Sequence, residues 1–363
     1  MKLSGEKYRA LVNGRRGLGP ALARLGLRAA SLPYGWAVRL RNRLYDRGWK
    51  RITRAQVPVV SVGNLTLGGT GKTPCVEYVA RYLVEHGHRA VILSRGYGNH
   101  GGRNDEALVL DENLPDVPHL QGPDRVGLAT TAEKHSAAQV LVLDDGFQHR
   151  RLARDLDLVL IDATDPWGLK YLFPRGLLRE PVSGLRRANA AILTRCNQVD
   201  PGERGRLREI VARVAPQVPI IETSQRPVEL VNSDRLTAGL DRLAGRPVAA
   251  FCAIGNPEAF RHTLASLGAT VVAWRTFPDH HRYSRQDVEE LQDWARGQPT
   301  ECLIVTTQKD LVKIQRTHLG GKELWAVRVC FRVESGEKEL HGMLARVMGD
   351  AQTLQIAKCK LQI

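Results

Sequence analysis

The chain has no C-x-x-C pair and no uninterrupted apolar run of membrane-spanning length. Its six cysteines, at 75, 196, 252, 302, 330 and 359, are scattered and leave no zinc spacing. Several stand in apolar runs, as Cys302 does in Glu301-Cys302-Leu303-Ile304-Val305, and are expected as reduced, buried thiols of a cytosolic compartment. The N-terminus lacks the apolar core and small-residue cleavage site of a secretory signal, so none is expected. Internal repeats and low-complexity tracts are absent too, which leaves no basis for a solenoid or a long disordered linker. Acidic residues are scarce at one end. Residues 1–56 hold fourteen Lys and Arg against Glu6 and Asp46, so +12 of the net charge of +15 lies there. The rest is ordinary for a folded soluble protein, with 43% hydrophobic and 25% charged residues, and 363 residues can bury two cores.

On a helix over residues 18–32, Leu18, Leu22, Leu25, Ala29 and Leu32 form one narrow stripe, with Arg24 and Arg28 about a quarter turn away. Pro33 follows, then Tyr34, Trp36, Leu40 and Leu44 among Arg39, Arg41, Arg43 and Arg47. A spanning helix is disfavoured. Arg24 and Arg28 fall inside the one candidate span, and each costs roughly 2.5–3.5 kcal/mol at the bilayer centre. A helix lying in the interface of an anionic membrane fits better, each basic residue near the surface adding about 1 kcal/mol of attraction. The alternatives are a solvated basic helix packed on the domain and a nucleic-acid tail. No recognised nucleic-acid motif accompanies the charge, so no nucleic-acid partner is expected.

After residue 56 strands and helices alternate. Strands are expected at 57–62, 90–93, 140–143, 156–161, 190–194 and 219–222. Helices are expected at 72–86, near 125–137 and near 201–214, and residues 99–125 read as loop-rich. Segment 224–245 is polar and reads as a connection. A second series follows, with strands at 247–254, 270–274, 303–307 and 324–330 and helices at 257–267 and 284–296. Near-continuous apolar strands separated by helices predict a parallel sheet covered on both faces.

The most specific local signal is Val59-Val60-Ser61-Val62-Gly63-Asn64-Leu65-Thr66-Leu67-Gly68-Gly69-Thr70-Gly71-Lys72-Thr73-Pro74. It reads as a buried strand, a glycine-rich turn and the start of a helix. Glycines at 68, 69 and 71 let the backbone wrap an anion, Lys72 adds a cation, and the Thr73 hydroxyl suits Mg²⁺. The strict pattern has glycine where Thr66 stands, so a plain glycine turn is the competing reading. Val140-Leu141-Val142-Leu143-Asp144-Asp145 is an apolar strand ending in acids, where enzymes with such a loop hold Mg²⁺. Adjacent carboxylates point apart, so one of the two is expected to reach the metal. Asp105-Glu106 offers a base for a hydroxyl nucleophile, against a solvated acidic loop. Phe277-Pro278-Asp279-His280-His281 ends a strand and could equally be a surface turn. Arg175, Arg179, Arg186 and Arg187, among Phe173, Leu177 and Leu178, suit phosphate and acyl chains or simply form a basic loop. Thr194-Arg195-Cys196-Asn197 stands where GTPases read guanine with an aspartate. None is present, which points to ATP.

Together, Gly63–Pro74, Ser94-Arg95-Gly96-Tyr97-Gly98, Asp144-Asp145-Gly146-Phe147-Gln148-His149, Leu178-Arg179-Glu180-Pro181, Ile254-Gly255-Asn256-Pro257 and Phe277–His281 appear in the order seen in one family. Over about residues 30–315 the chain resembles tetraacyldisaccharide 4'-kinase, the lipid A 4'-kinase of Gram-negative bacteria, whose cradle also lacks the first glycine. The resemblance implies a P-loop NTPase-like α/β core with a second, smaller α/β domain contributing to the active-site cleft. The implied division is a basic amphipathic membrane-associating segment at 1–50, a kinase core at 51–223 and the second domain at 224–363. It implies transfer of the ATP γ-phosphate to the 4'-hydroxyl of an acylated glucosamine disaccharide 1-phosphate, at the cytoplasmic face of the inner membrane with peripheral attachment through the N-terminus. Carried over by motif, Thr66, Leu67, Gly68, Gly69, Thr70, Gly71, Lys72 and Thr73 hold ATP. Thr73, Asp144 and Asp145 face Mg²⁺. Asp105 is the base, His280 from the other domain orients it, and Lys72 and Asp145 assist catalysis. Gln148, His149 and Arg179 line the substrate.

Three departures from the family pattern stand out. Asn104-Asp105-Glu106-Ala107 replaces Gly-Asp-Glu-Pro, Gln308-Lys309-Asp310 replaces Glu-Lys-Asp, and residues 18–44 are less apolar than the usual anchor. The alternative function is a P-loop ATPase acting as a membrane-attached switch on a protein partner. Such switches usually carry lysine where Leu67 stands.

Overall fold

The computed structural model describes residues 17–96 and 103–349. Tyr97 and Gly98 of the Ser94–Gly98 motif, Gly101-Gly102, Cys359 and the first sixteen residues of the basic segment lie outside the described residues.

The described chain gives nine helices and thirteen strands, apart from short 3₁₀ turns. In order they are α1 Leu18–Asp46, β1 Val59–Asn64, α2 Lys72–Glu85, β2 Ala90–Ser94, α3 Asp105–Asn113, β3 His119–Gln121, α4 Arg125–His135, β4 Val140–Asp144, β5 Leu156–Asp162, β6 Ala190–Thr194, α5 Pro201–Val214 and β7 Ile220–Val231. Next come β8 Thr237–Ala238, β9 Pro247–Cys252, α6 Pro257–Ser266, β10 Thr270–Thr276, α7 Arg285–Arg296, β11 Leu303–Thr307, α8 Gln308–Ile314, β12 His318–Leu319, β13 Lys322–Ser335 and α9 Glu337–Met348. They fall into two compact units. Among the described residues the core unit takes 17–96, 113–225 and 331–349, and the second takes 103–112 and 226–330. Residues 103–112 therefore belong with the second unit, and α9 with the core, which a single division near residue 223 does not capture.

In the core unit the order β7-β6-β5-β1-β4-β2-β3 is parallel throughout. Strands β1, β2, β4, β5 and β6 are buried along their full length, which is why they read as unbroken apolar runs. β1 lies between β4 and β5, so its carboxyl end opens where the strand order reverses direction, the usual position for a ligand in such sheets. In the second unit β10-β9-β11-β13 is also parallel, with Leu303↔Val248 and Ile304↔Leu324 in register. The described cysteines carry no disulfide, and Cys75, Cys196, Cys252 and Cys302 are buried.

Several elements depart from the sequence reading. The stretch 99–125 contains α3 and β3. Asn104 caps α3, its side chain accepting from the Ala107 N–H at 2.9 Å, so the residue that replaces the family's glycine starts the helix. β7 continues to Val231, through part of what read as a polar connection, where exposed Arg226 and Val228 alternate with half-buried neighbours instead of forming an apolar run. Helix α1 runs through Pro33 to Asp46. Proline removes one N–H from the ladder, and packing of Ser31, Gly35 and Val38 holds the helix across it. The Ser31 hydroxyl is within hydrogen-bond distance of Leu27 O and Leu172 O, and the Tyr34 hydroxyl donates to Arg179 O at 2.8 Å. The opposite stripe is exposed among the described residues: Leu18, Leu22, Leu25, Leu32 and Trp36 are 85, 67, 64, 71 and 70% exposed. No described helix is long and apolar enough to cross a membrane.

Candidate active site

The loop between β1 and α2 is tied down on all sides. Asn64, at the end of β1, donates to the Thr70 hydroxyl at 2.9 Å. Leu67 N–H donates to Leu177 O, and Arg179 N–H to Leu65 O, both at 2.7 Å, so Leu65–Leu67 runs beside Leu177–Arg179 with Thr66 opposite Leu178. Thr194 Oγ1 donates to Thr70 O at 2.9 Å, and Arg195 donates to Gly69 O at 2.8 Å. Gly71 is left-handed at φ 86°, where a β-carbon would stand 2.4 Å from Gln225 Nε2. Within the described residues the amides of Gly69, Gly71, Lys72 and Thr73 have no protein acceptor. A turn of unspent N–H groups at a helix start is an anion cradle.

Around this cradle, Lys72 Nζ lies 3.7 Å from Asp145 Oδ1. Arg179 Nη1 lies 2.8 and 2.7 Å from the two Asp145 oxygens. Burial opposes ionisation of Asp145, but Lys72 and Arg179 outweigh it and hold the carboxyl below its usual range. Asp145 is itself left-handed at φ 56°, which turns its side chain away from that of Asp144. Asp144 and Thr73 are buried, at 7 and 5% exposure, at the ends of β4 and the start of α2. Gln148 Nε2 donates to Asn64 O at 2.9 Å and to Glu180 at 2.8 Å. Glu180 is fully buried and also takes Arg187 at 2.8 Å and Asn42 at 3.1 Å. Burial, then the charges of Arg125, Arg151 and Arg154, hold the His149 imidazole down to about 4, so it is neutral near pH 7. Of the four clustered arginines, Arg179 and Arg187 join this group, and Arg175 and Arg186 do not. Arg187 pairs with Glu180, Arg186 donates to Val214 O, and Arg175 lies over Tyr171.

The second unit carries a separate cluster. Asp105 starts α3 and is 9% exposed, and His280 Nδ1 lies 2.9 Å from its Oδ2. Both residues belong to the second unit, so the pair needs no movement of one domain onto another, contrary to the expectation that His280 would come from across a cleft. Burial would raise the Asp105 pKa. The His280 hydrogen bond, with Lys309, the His280 charge and Lys313, outweighs burial and brings it down to about 2. The hydrogen bond to Asp105 raises the His280 pKa against the opposing effect of burial. His280 is left-handed at φ 58° and its side chain 55% exposed.

Beneath the pair sits Asp310, fully buried, which accepts from Ala253 N–H, Tyr283 OH, Thr307 OH and Lys313 at 3.0, 3.1, 2.7 and 3.1 Å. This gives Gln308-Lys309-Asp310 a structural account. Asp310 anchors the turns on either side of His280, Lys309 pairs with Glu106 at 2.9 Å, and Gln308 donates to Glu112 at 2.9 Å, where a glutamate would repel it. Asp310, Lys313 and Arg195 were not singled out as site residues by sequence. Lys313 reaches Asp105, 208 residues away, and Arg195 reaches Asp162 and Gly69, 33 and 126 residues away, so the sequence did not show what they contact.

Residues 23–349 match the family described as Tetraacyldisaccharide-1-P 4'-kinase. The chain belongs to this family. Tetraacyldisaccharide 4'-kinases of Anaeromyxobacter sp. strain Fw109-5 and of Syntrophus aciditrophicus are each 40% identical to it. The first match covers 83% of this chain and 85% of the relative, the second 84% and 87%. The crystal structure of the "apo" form of LpxK from Aquifex aeolicus in complex with ATP superposes with a TM-score of 0.72 at 33% identity, covering 90% of this chain and 99% of that one. The P-loop NTPase-like α/β fold expected from sequence is thereby established, and the family is a family of ATP-using kinases.

Proposed function

We propose that this kinase transfers the γ-phosphate of ATP to the 4'-hydroxyl of tetraacyldisaccharide 1-phosphate, with the phosphate loop acting on the donor and the Asp105–His280 pair on the acceptor. The observation that carries this reading is the family match over 23–349, which includes both clusters. It also favours a kinase over a nucleotide-driven switch.

In this reading Thr66–Thr73 wraps the triphosphate, the free amides of Gly69, Gly71, Lys72 and Thr73 face it, and Lys72 balances its outer charge. The buried Thr73 hydroxyl and Asp144 carboxylate are hard oxygen donors suited to Mg²⁺, which takes one or two protein oxygens and fills its shell from water and phosphate. No group of three His, Cys, Asp or Glu among the described residues forms a full protein cage, in keeping with that mode. Bound Mg²⁺ would neutralise charge on the transferring phosphoryl group. Asp145 is assigned as the residue that aims Lys72 and Arg179. Gln148, neutral His149 and Arg179 line the substrate.

Asp105, with its pKa near 2, is ionised at any working pH and is a weak base. That suits a loose phosphoryl-transfer transition state, in which the hydroxyl needs orientation more than deprotonation and gives up its proton late. His280 fixes the carboxylate that does the orienting. Asp105→Ala is expected to lower turnover about 10²–10⁴-fold while ATP still binds. Unchanged turnover with the purified lipid substrate would remove Asp105 from the role. The exposed stripe of α1, with its basic flanks, supports peripheral attachment to an anionic membrane.

A further inference from the structure

We infer that Thr194 and Arg195, at the end of β6, are positioning residues that set the phosphate loop for ATP before the nucleotide arrives. The inference rests on the reading of Thr66–Thr73 as the triphosphate site.

Two consecutive carbonyls of that loop, Gly69 O and Thr70 O, are taken by neighbouring residues of one strand end. Arg195 Nη2 lies 2.8 Å from the first. Thr194 Oγ1 lies 2.9 Å from the second and 3.5 Å from Ile161 O. In a trans peptide the carbonyl and the next N–H point opposite ways. Holding Thr70 O toward β6 therefore turns the Gly71 N–H away from β6, and that amide has no acceptor in the described chain. Gly69 O is held the same way, with the next amide, Thr70 N–H, donating back to Gly68 O at 3.1 Å, so this plane closes the turn.

Both anchors are fixed in their turn. Thr194 is fully buried. Arg195 forms an ion pair with Asp162 at the end of β5, and the other Asp162 oxygen accepts from the Thr164 N–H at 3.0 Å and hydroxyl at 2.7 Å. Arg195 is also left-handed at φ 57°, which brings its guanidinium back over the loop. In other nucleotide-binding sheets this strand end reads the base. Here its side chains are spent on the backbone that faces the phosphates.

The test is ATP affinity of the full chain, with inorganic tripolyphosphate as a competitor that has no base. Thr194→Val keeps the shape of a buried side chain and removes the donor, and Thr194→Ser restores it. Arg195→Lys keeps a cation for Asp162 and loses the second arm of the fork. Removing one such hydrogen bond is expected to weaken ATP and tripolyphosphate about five- to tenfold, by the same factor, with KM for the lipid unchanged and Thr194→Ser near wild type. If Thr194→Val and Arg195→Lys, folded by circular dichroism, bind ATP as wild type does, the inference is wrong. Loss of ATP affinity with tripolyphosphate unaffected would make this strand end a base reader and overturn it equally. Wild-type protein that binds neither ligand would remove the phosphate-site reading itself, and the inference with it.

Discussion

Replacing His280 by Asn separates ionisation from orientation at Asp105. Asparagine tolerates the left-handed backbone that His280 adopts at φ 58°, and it cannot be a cation. In the wild type the Asp105 pKa falls from 3.8 to about 2 despite burial, a shift of order 2 kcal/mol. The His280 hydrogen bond is the largest of the lowering influences, ahead of Lys309 and Lys313. Its loss should return the carboxyl part of the way toward its ordinary value, the lysines still holding it below. The sign follows for each partner. A depressed carboxylate stabilises the fold above its unfolded pKa and loses that contribution as pH falls through about 2. A raised histidine contributes below pH 6.5 and loses its contribution as pH rises through its folded value. The pair is therefore strongest between about pH 4 and 6.5, and at pH 7 Asp105 is ionised in both proteins. Any loss of turnover at pH 7 then comes from orientation, and is expected at about 10–100-fold in kcat with KM for ATP unchanged. The assay is kcat/KM against pH from 4 to 9, with unfolding measured in parallel. Wild type should lose activity on the alkaline side as His280 deprotonates, and the Asn variant should lack that limb. Identical pH profiles with unchanged kcat would refute the reasoning.

Two further perturbations address the other elements. Gly71→Ala puts a β-carbon 2.4 Å from Gln225 Nε2 in a left-handed residue, at a backbone cost of about 1–2 kcal/mol. ATP affinity should fall at least tenfold by calorimetry, and affinity within twofold of wild type would show that the loop has room to adjust. Leu25→Glu with Leu32→Glu places two charges on the exposed stripe of α1, where full burial of each leucine is worth roughly 1.5–3 kcal/mol. Binding to vesicles containing anionic lipid should weaken at least tenfold with thermal stability unchanged, since both side chains are exposed in the fold. Equal binding would place the membrane contact elsewhere.

Much of the fold was legible because parallel strands buried on both faces must be apolar along their whole length. β1, β4, β5 and β6 were found within two residues at each end for that reason. Helix α5 was expected near 201–214, and in the structure it starts at the Asp200 cap, which accepts from Gly202 and Glu203 N–H, with a proline in its first turn. The continuation of β7 to Val231 was missed because Arg226 and Val228 are exposed and Ser224, Gln225, Arg226 and Glu229 break the apolar run. α1 past Pro33 was read with a break because packing against Leu172 and Arg179, more than 130 residues away, compensates the lost hydrogen bond.

The sequence by itself determined the phosphate loop, the acid at the end of β4 and the family, because each depends on residues adjacent along the chain whose backbone chemistry is local. The resemblance already paired Asp105 with His280; tertiary structure alone decided that these residues, 175 apart in the chain, meet within one unit. It alone decided that Asp145 serves Lys72 and Arg179, and that Thr194 and Arg195 grip the loop. Charge pairs and carbonyl anchors leave no periodic trace in a sequence, since a single atom brought within 3 Å is enough to form them and any turn of the chain can deliver it.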